Sequence, residues 1–223
     1  MKFLFIGNSA TYVHKVPQWL QLLAQKAGYV FEVAQITPGG YRLCQHADME
    51  TEHGQRVFAE IQKGYDVVFL QDNGNCILSE ENRVLCAKAS KRLTDAIRES
   101  GAKACFYVRP PYGYPHEAYD PLAQCMEFDR LFGTLARELG AGCVYVNRAF
   151  AYAMEHLPFD LWGEDRAHTS LHGAYLIVCT FFATLFGISA TCLEPGGLDS
   201  GDALALQQVA DRVALEQLIP WQQ

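Results

Sequence analysis

The sequence predicts an α/β domain, a three-layer α/β/α sandwich around a five-stranded parallel sheet. Short apolar runs alternate with amphipathic segments of helix length, the pattern of buried parallel strands and their crossover helices. Gly28, Gly64, Gly101 and Gly140 stand where those helices should stop. Size agrees: 223 residues, 50% of them hydrophobic and 19% charged, can bury a sizeable core without help from disulfides or metals.

In chain order the strands are expected at 2–6, 31–35, 66–70, 104–108 and 143–146. Helices are expected at 16–27, 52–63, 79–99, 121–139, 171–186 and 202–218. No repeat, low-complexity tract or Ser/Gly-rich linker divides the chain, so residues 1–223 read as one domain.

Charge and cysteine usage narrow the function classes. A formal charge of -7, with no Lys/Arg cluster denser than 88–92, argues against a nucleic-acid partner. The eight cysteines are scattered, several within apolar runs such as Cys105-Phe106-Tyr107-Val108, and no pair has zinc-site spacing. Free, buried thiols in a reducing compartment follow. The apolar run at 1–7 is too short for a signal peptide, and 174–186 is too short to span a bilayer, so a cytoplasmic protein without membrane contact is expected.

In an open parallel sheet, ligands bind beyond the carboxyl ends of the strands. The first such loop reads Gly7-Asn8-Ser9-Ala10-Thr11, where a serine can expose its hydroxyl while its own N–H faces a reacting carbonyl. A turn serine that merely caps a helix would look the same in isolation. Thr11 stands where the α/β-hydrolase elbow G-x-S-x-G has its second glycine. The similar Gly187-Ile188-Ser189 follows a helix and reads as a turn. A serine nucleophile needs a base, and the base an orienting acid. Asp165-Arg166-Ala167-His168 offers both, just before the helical run from 171; the plainer alternative is a surface loop ahead of a cap at Thr169 or Ser170. His172, four residues after His168, leaves a two-histidine metal site conceivable, without an obvious third ligand.

Together these residues resemble the SGNH (GDSL-like) hydrolases. Gly7-Asn8-Ser9 is similar to that family's Gly-Asp-Ser block, with Asn8 for Asp; Asp165 and His168 are similar to its closing Asp-x-x-His. Gly39-Gly40-Tyr41 resembles the second block, whose glycine N–H lines the oxyanion hole. The resemblance implies a flavodoxin-like sheet and an esterase of small acyl esters, an acetylated sugar among them. Ser9 would be the nucleophile, His168 the base and Asp165 its orienter; Gly40 would donate to the oxyanion, with no metal or organic cofactor. The third block departs: Gln71-Asp72-Asn73-Gly74-Asn75 replaces Gly-x-Asn-Asp, leaving the side-chain donor open among Gln71, Asn73 and Asn75, with Asn73 favoured for its residue type.

The loop 109–116, rich in Tyr and Pro, is either a pocket wall or a rigid loop. A non-catalytic module that holds a nucleotide or phosphate on residues 7–11 is the alternative reading, without a P-loop Lys or G-x-G-x-x-G.

Overall fold

The structure, a computed structural model, describes residues 1–222. Five parallel strands form one sheet: β1 (Lys2–Ile6), β2 (Glu32–Ile36), β3 (Val67–Leu70), β4 (Lys103–Val108) and β5 (Gly142–Tyr145), in the order β2-β1-β3-β4-β5. The chain leaves β1 for one edge and then returns past it to β3, so a crevice opens between the carboxyl ends of β1 and β3. The ladder runs into both loops: the Gly7 N–H donates to the Ile36 carbonyl at 3.1 Å and the Gln71 N–H to that of Ile6 at 2.9 Å.

Side chains alternate across the sheet with period two and build two cores. Phe3, Phe5, Phe69, Tyr107 and Val144 face one layer, made by α2 (Val16–Lys26), α7 (Val146–His156), α8 (Leu171–Phe186) and α9 (Ser200–Ala214). Leu4, Ile6, Val68, Leu70, Phe106 and Val108 face the other, made by α4 (Glu52–Ile61), α5 (Glu80–Glu99) and α6 (Pro121–Leu139). Two single turns of helix, α1 (Ser9–Tyr12) and α3 (Leu43–His46), sit at the carboxyl edge. Helix α8 is apolar all round and buried without a break from Gly173 to Ala183, as a helix enclosed by its neighbours must be. Its Phe181 meets Phe69 edge-on at 5.2 Å while Phe69 stacks on Phe5 at 4.7 Å. Fully burying such a side chain contributes about 1.5–3 kcal/mol. Among the described residues no helix is long and apolar enough to cross a membrane.

The expected sheet and helices all form, with β1, α6 and α8 at the expected bounds. Helix α9 is displaced toward the N-terminus because Asp199 caps it. Helix α7 is unexpected: the chain turns from strand to helix at Val146 with no intervening loop, which ends β5 at Tyr145, one residue before the expected bound. Ser189 lies after the left-handed Gly187 that ends α8 and caps a 3-10 turn. All eight cysteines are unpaired.

Candidate active site

Ser9 opens α1 directly beyond β1, half-buried, at the mouth of the β1/β3 crevice. Asn8 is the N-cap: its side-chain oxygen accepts from the Ala10 N–H at 3.0 Å and its amide donates to the Tyr41 carbonyl at 2.8 Å. Gln71, at the end of β3, holds the turn from beneath. Its Oε1 accepts from the Asn8 N–H and the Thr11 hydroxyl, both at 3.0 Å, and its Nε2 donates to the Asp72 carbonyl. A Cβ on Gly7 would stand 2.6 Å from that Oε1 and 2.8 Å from the Thr11 hydroxyl, so the position takes no side chain.

A third support comes from two histidines. His46 is fully buried, and its Nε2–H donates to the Gly7 carbonyl at 2.9 Å. Its Nδ1 therefore accepts, from His53 Nε2–H at 3.0 Å. Burial drives the His46 pKa down to about 4, and the neighbouring His53 adds to the effect, so the ring is neutral at pH 7.

The loop of Asp165 and His168 lies between α7 and α8. The Asp165 carboxylate accepts from His168 Nδ1 at 2.6 Å through one oxygen; the other accepts from the His168 N–H at 2.9 Å and the Ala167 N–H at 3.0 Å. The His168 side chain, its backbone N–H and that of Ala167 together hold Asp165 at about 2. With the proton of neutral His168 committed to Nδ1, its Nε2 is the accepting nitrogen. Arg166 takes a left-handed φ of 55° to close the turn. Its guanidinium pairs with Asp160 at 2.5 Å. Ser170, not Thr169, caps α8, accepting from the Gly173 N–H at 3.2 Å.

The Ser9 segment and this loop meet at His14, whose Nε2–H donates to the Thr169 carbonyl at 2.8 Å. His14 (φ 57°) and Lys15 (φ 54°) are consecutive left-handed residues, a conformation that costs about 1–2 kcal/mol per non-glycine residue.

The candidate oxyanion donors separate clearly. Gly40 is exposed with φ +75°, a left-handed geometry that glycine adopts without penalty. Neither its N–H nor that of Ser9 has an acceptor among the described residues. Gln71 is buried and engaged as described. Asn73 is half-buried beside Gly40, its amide donating to the Gly40 carbonyl at 3.1 Å and its oxygen accepting from the Asn75 N–H at 3.0 Å. Asn75 turns away, its oxygen bonded to His116 Nε2 at 3.0 Å.

The aromatic loop is a brace. Tyr112 and Tyr114 stack at 5.2 Å and the Arg109 guanidinium lies over Tyr112 at 4.2 Å. The Gly113 N–H donates to the Arg166 carbonyl at 2.7 Å, which ties this loop to that of His168. Trp162 donates from its indole to the Pro111 carbonyl at 3.0 Å. His172 faces Asp202 at 2.9 Å and stacks on Phe159, so it forms no ligand pair with His168. The one cluster of metal-ligating side chains among the described residues is Asp72, Cys76 and Cys86, buried and with ligand atoms within 4.8 Å of one another.

His14, His46 and His53 escape sequence reasoning because two of them bond backbone carbonyls, which carry no sequence signal. Nothing in the run Tyr41…His46…His53 marks Gly7 as the target.

The architecture is that of the SGNH hydrolases: a five-stranded parallel sheet with helices on both faces, as in solved structures of that group. A protein from Slackia heliotrinireducens assigned to the SGNH hydrolases superposes with a TM-score of 0.67 at 23% identity, over 80% of this chain and 95% of that one. A DUF4886 family protein from Bacteroides uniformis gives 0.81 at 17% identity, over 100% and 98%. Axe2, an acetylxylan esterase from Geobacillus stearothermophilus, gives 0.62 at 19% identity, over 85% and 95%. No protein-family model and no curated protein matches the sequence.

Proposed function

We propose that this chain is a serine esterase that cleaves small acyl esters, an acetyl group on a sugar being the form favoured by the acetylxylan esterases among its structural neighbours. The observation that carries the reading is the 2.6 Å bond from His168 Nδ1 to Asp165, which leaves Nε2 as a base on a loop bonded to the nucleophile segment. Ser9 Oγ attacks the ester carbonyl as Nε2 takes its proton. Asp165, whose pKa the His168 bonds hold down at about 2, is ionised at neutral pH and stabilises the imidazolium that forms. The Ser9 and Gly40 N–H groups and the Asn73 amide receive the developing oxyanion; each such donor contributes about 2.7–4 kcal/mol. His168 then returns the proton to the leaving alcohol, and water repeats the sequence to release the acyl group.

A fluorophosphonate probe tests the assignment, because only an activated serine reacts with it. Labelling at Ser9, lost together with p-nitrophenyl acetate hydrolysis in a folded Ser9→Ala variant, is expected. Labelling at Ser189, or activity retained by Ser9→Ala, would overturn it.

A further inference from the structure

We propose that His14 is a positioning residue that clamps the His168 loop to the nucleophile segment and so sets the approach of Ser9 to His168. The proposal rests on the esterase reading for its kinetic consequence, while the clamp itself is a property of the fold.

The bond from His14 Nε2 to the Thr169 carbonyl spans 155 residues of sequence. Among the described residues it is the one hydrogen bond that joins 7–15 to 160–170. Both of its arms are short and stiff. On one side α1 starts at Ser9 and ends at Tyr12, with the Val13 N–H bonded back to the Ser9 carbonyl. On the other, Thr169 adjoins His168, whose backbone N–H and Nδ1 are both held by Asp165. A displacement at His14 therefore passes to the reacting pair with little to absorb it.

The backbone supplies the second argument. His14 and Lys15 both stay left-handed although neither is glycine or asparagine. Lys15 is exposed and its side chain caps nothing. A single exposed hydrogen bond does not offset two such residues, so stability alone gives no account of the geometry; strain of this kind is retained where position matters. Nε2 faces a carbonyl and carries its hydrogen whether the ring is neutral or charged, so the clamp persists across the working pH range.

Two variants test this. His14→Asn tolerates the left-handed backbone but is too short to reach Thr169; His14→Gln keeps a donor at comparable reach. With p-nitrophenyl acetate, His14→Asn should lower kcat by about tenfold or more with KM within about twofold, and His14→Gln should recover to within about threefold of the parent. Hydrogen exchange over 163–170 should quicken in His14→Asn and not in His14→Gln. Parent-like kcat in His14→Asn, or equal losses in the two variants, would overturn the proposal. Should the parent protein itself neither label nor hydrolyse, the esterase reading fails, and exchange decides the clamp: unchanged exchange in His14→Asn would refute it.

Discussion

His46 makes acid stability a measurable consequence of the site's construction. The ring ordinarily titrates near 6.5, and burial lowers it to about 4 in the folded chain. Above pH 6.5 it is neutral folded and unfolded alike, and the shift contributes nothing. Between about 6.5 and 4 the unfolded chain takes up a proton that the folded chain refuses, so stability falls as pH falls. A difference of roughly 2.5 units at about 1.36 kcal/mol per unit gives a loss of about 3 kcal/mol. The groups that face the ring are the Gly7 carbonyl, His53 and the Tyr41 ring, with Arg56 beside His53; among the described residues no carboxylate bonds it to offset the added charge. His46→Gln keeps a donor for Gly7 and an acceptor for His53 but cannot titrate, and every other group is common to both proteins. Urea unfolding from pH 7 to pH 4 should therefore show the parent losing about 3 kcal/mol relative to the variant. Parallel stability curves would show that His46 is not held neutral, and the tautomer assigned to the His46–His53 pair would fall with it.

Other consequences concern the reacting groups. Asp165→Asn should lower kcat by about 10³–10⁴, because an amide that donates to Nδ1 forces the wrong tautomer. In a double-mutant cycle on p-nitrophenyl acetate, Asp165→Ala with His168→Ala should cost little more than the larger single loss; additive losses would refute their acting as one unit. Asn73→Leu should lower kcat by about 10²–10³ with KM little changed, and a near-normal kcat would remove it from the oxyanion hole. Gln71→Leu should behave differently: it strips the buried Asn8 N–H and Thr11 hydroxyl of their acceptor, so unfolding free energy should fall by about 1–3 kcal/mol per group, and an undiminished Tm would refute that supporting role.

What the sequence made legible, and what it concealed, follows from the range of each interaction. Strand and helix periods are local, so β1, α6 and α8 could be bounded from apolar runs, Pro121, Gly140 and Gly187. Helix α7 carries a usable signal, with Val146, Ala149, Phe150 and Ala153 at helical spacing, but it starts without a loop, and its first residue falls inside the strand expected at 143–146. The Asp165–His168 bond was accessible because three residues separate the partners. The supports were not. His46 reaches Gly7 across 39 residues and His14 reaches Thr169 across 155, each to a carbonyl that any residue would present.

The departures from the SGNH blocks that the sequence resembles are explained by one another. An Asp at position 8 could accept from the Ala10 N–H, but it could not donate to the Tyr41 carbonyl, and its charge would be buried against that oxygen. Asn8 has one atom for each task, and it is only 3% exposed, where an unmet polar group is costly. Its own N–H needs an acceptor too, and Gln71 supplies one from the strand end with enough reach to serve the Thr11 hydroxyl as well. Thr11, where an elbow would have glycine, is what makes that second bond possible. Gly7 must then stay bare, because the space above it is filled by the Gln71 oxygen and the Thr11 hydroxyl. Asn8, Thr11 and Gln71 thus form one buried network around the turn that carries Ser9; with Gln71 committed to it, Asn73, the amide beside Gly40, is the side chain left to serve the proposed oxyanion hole.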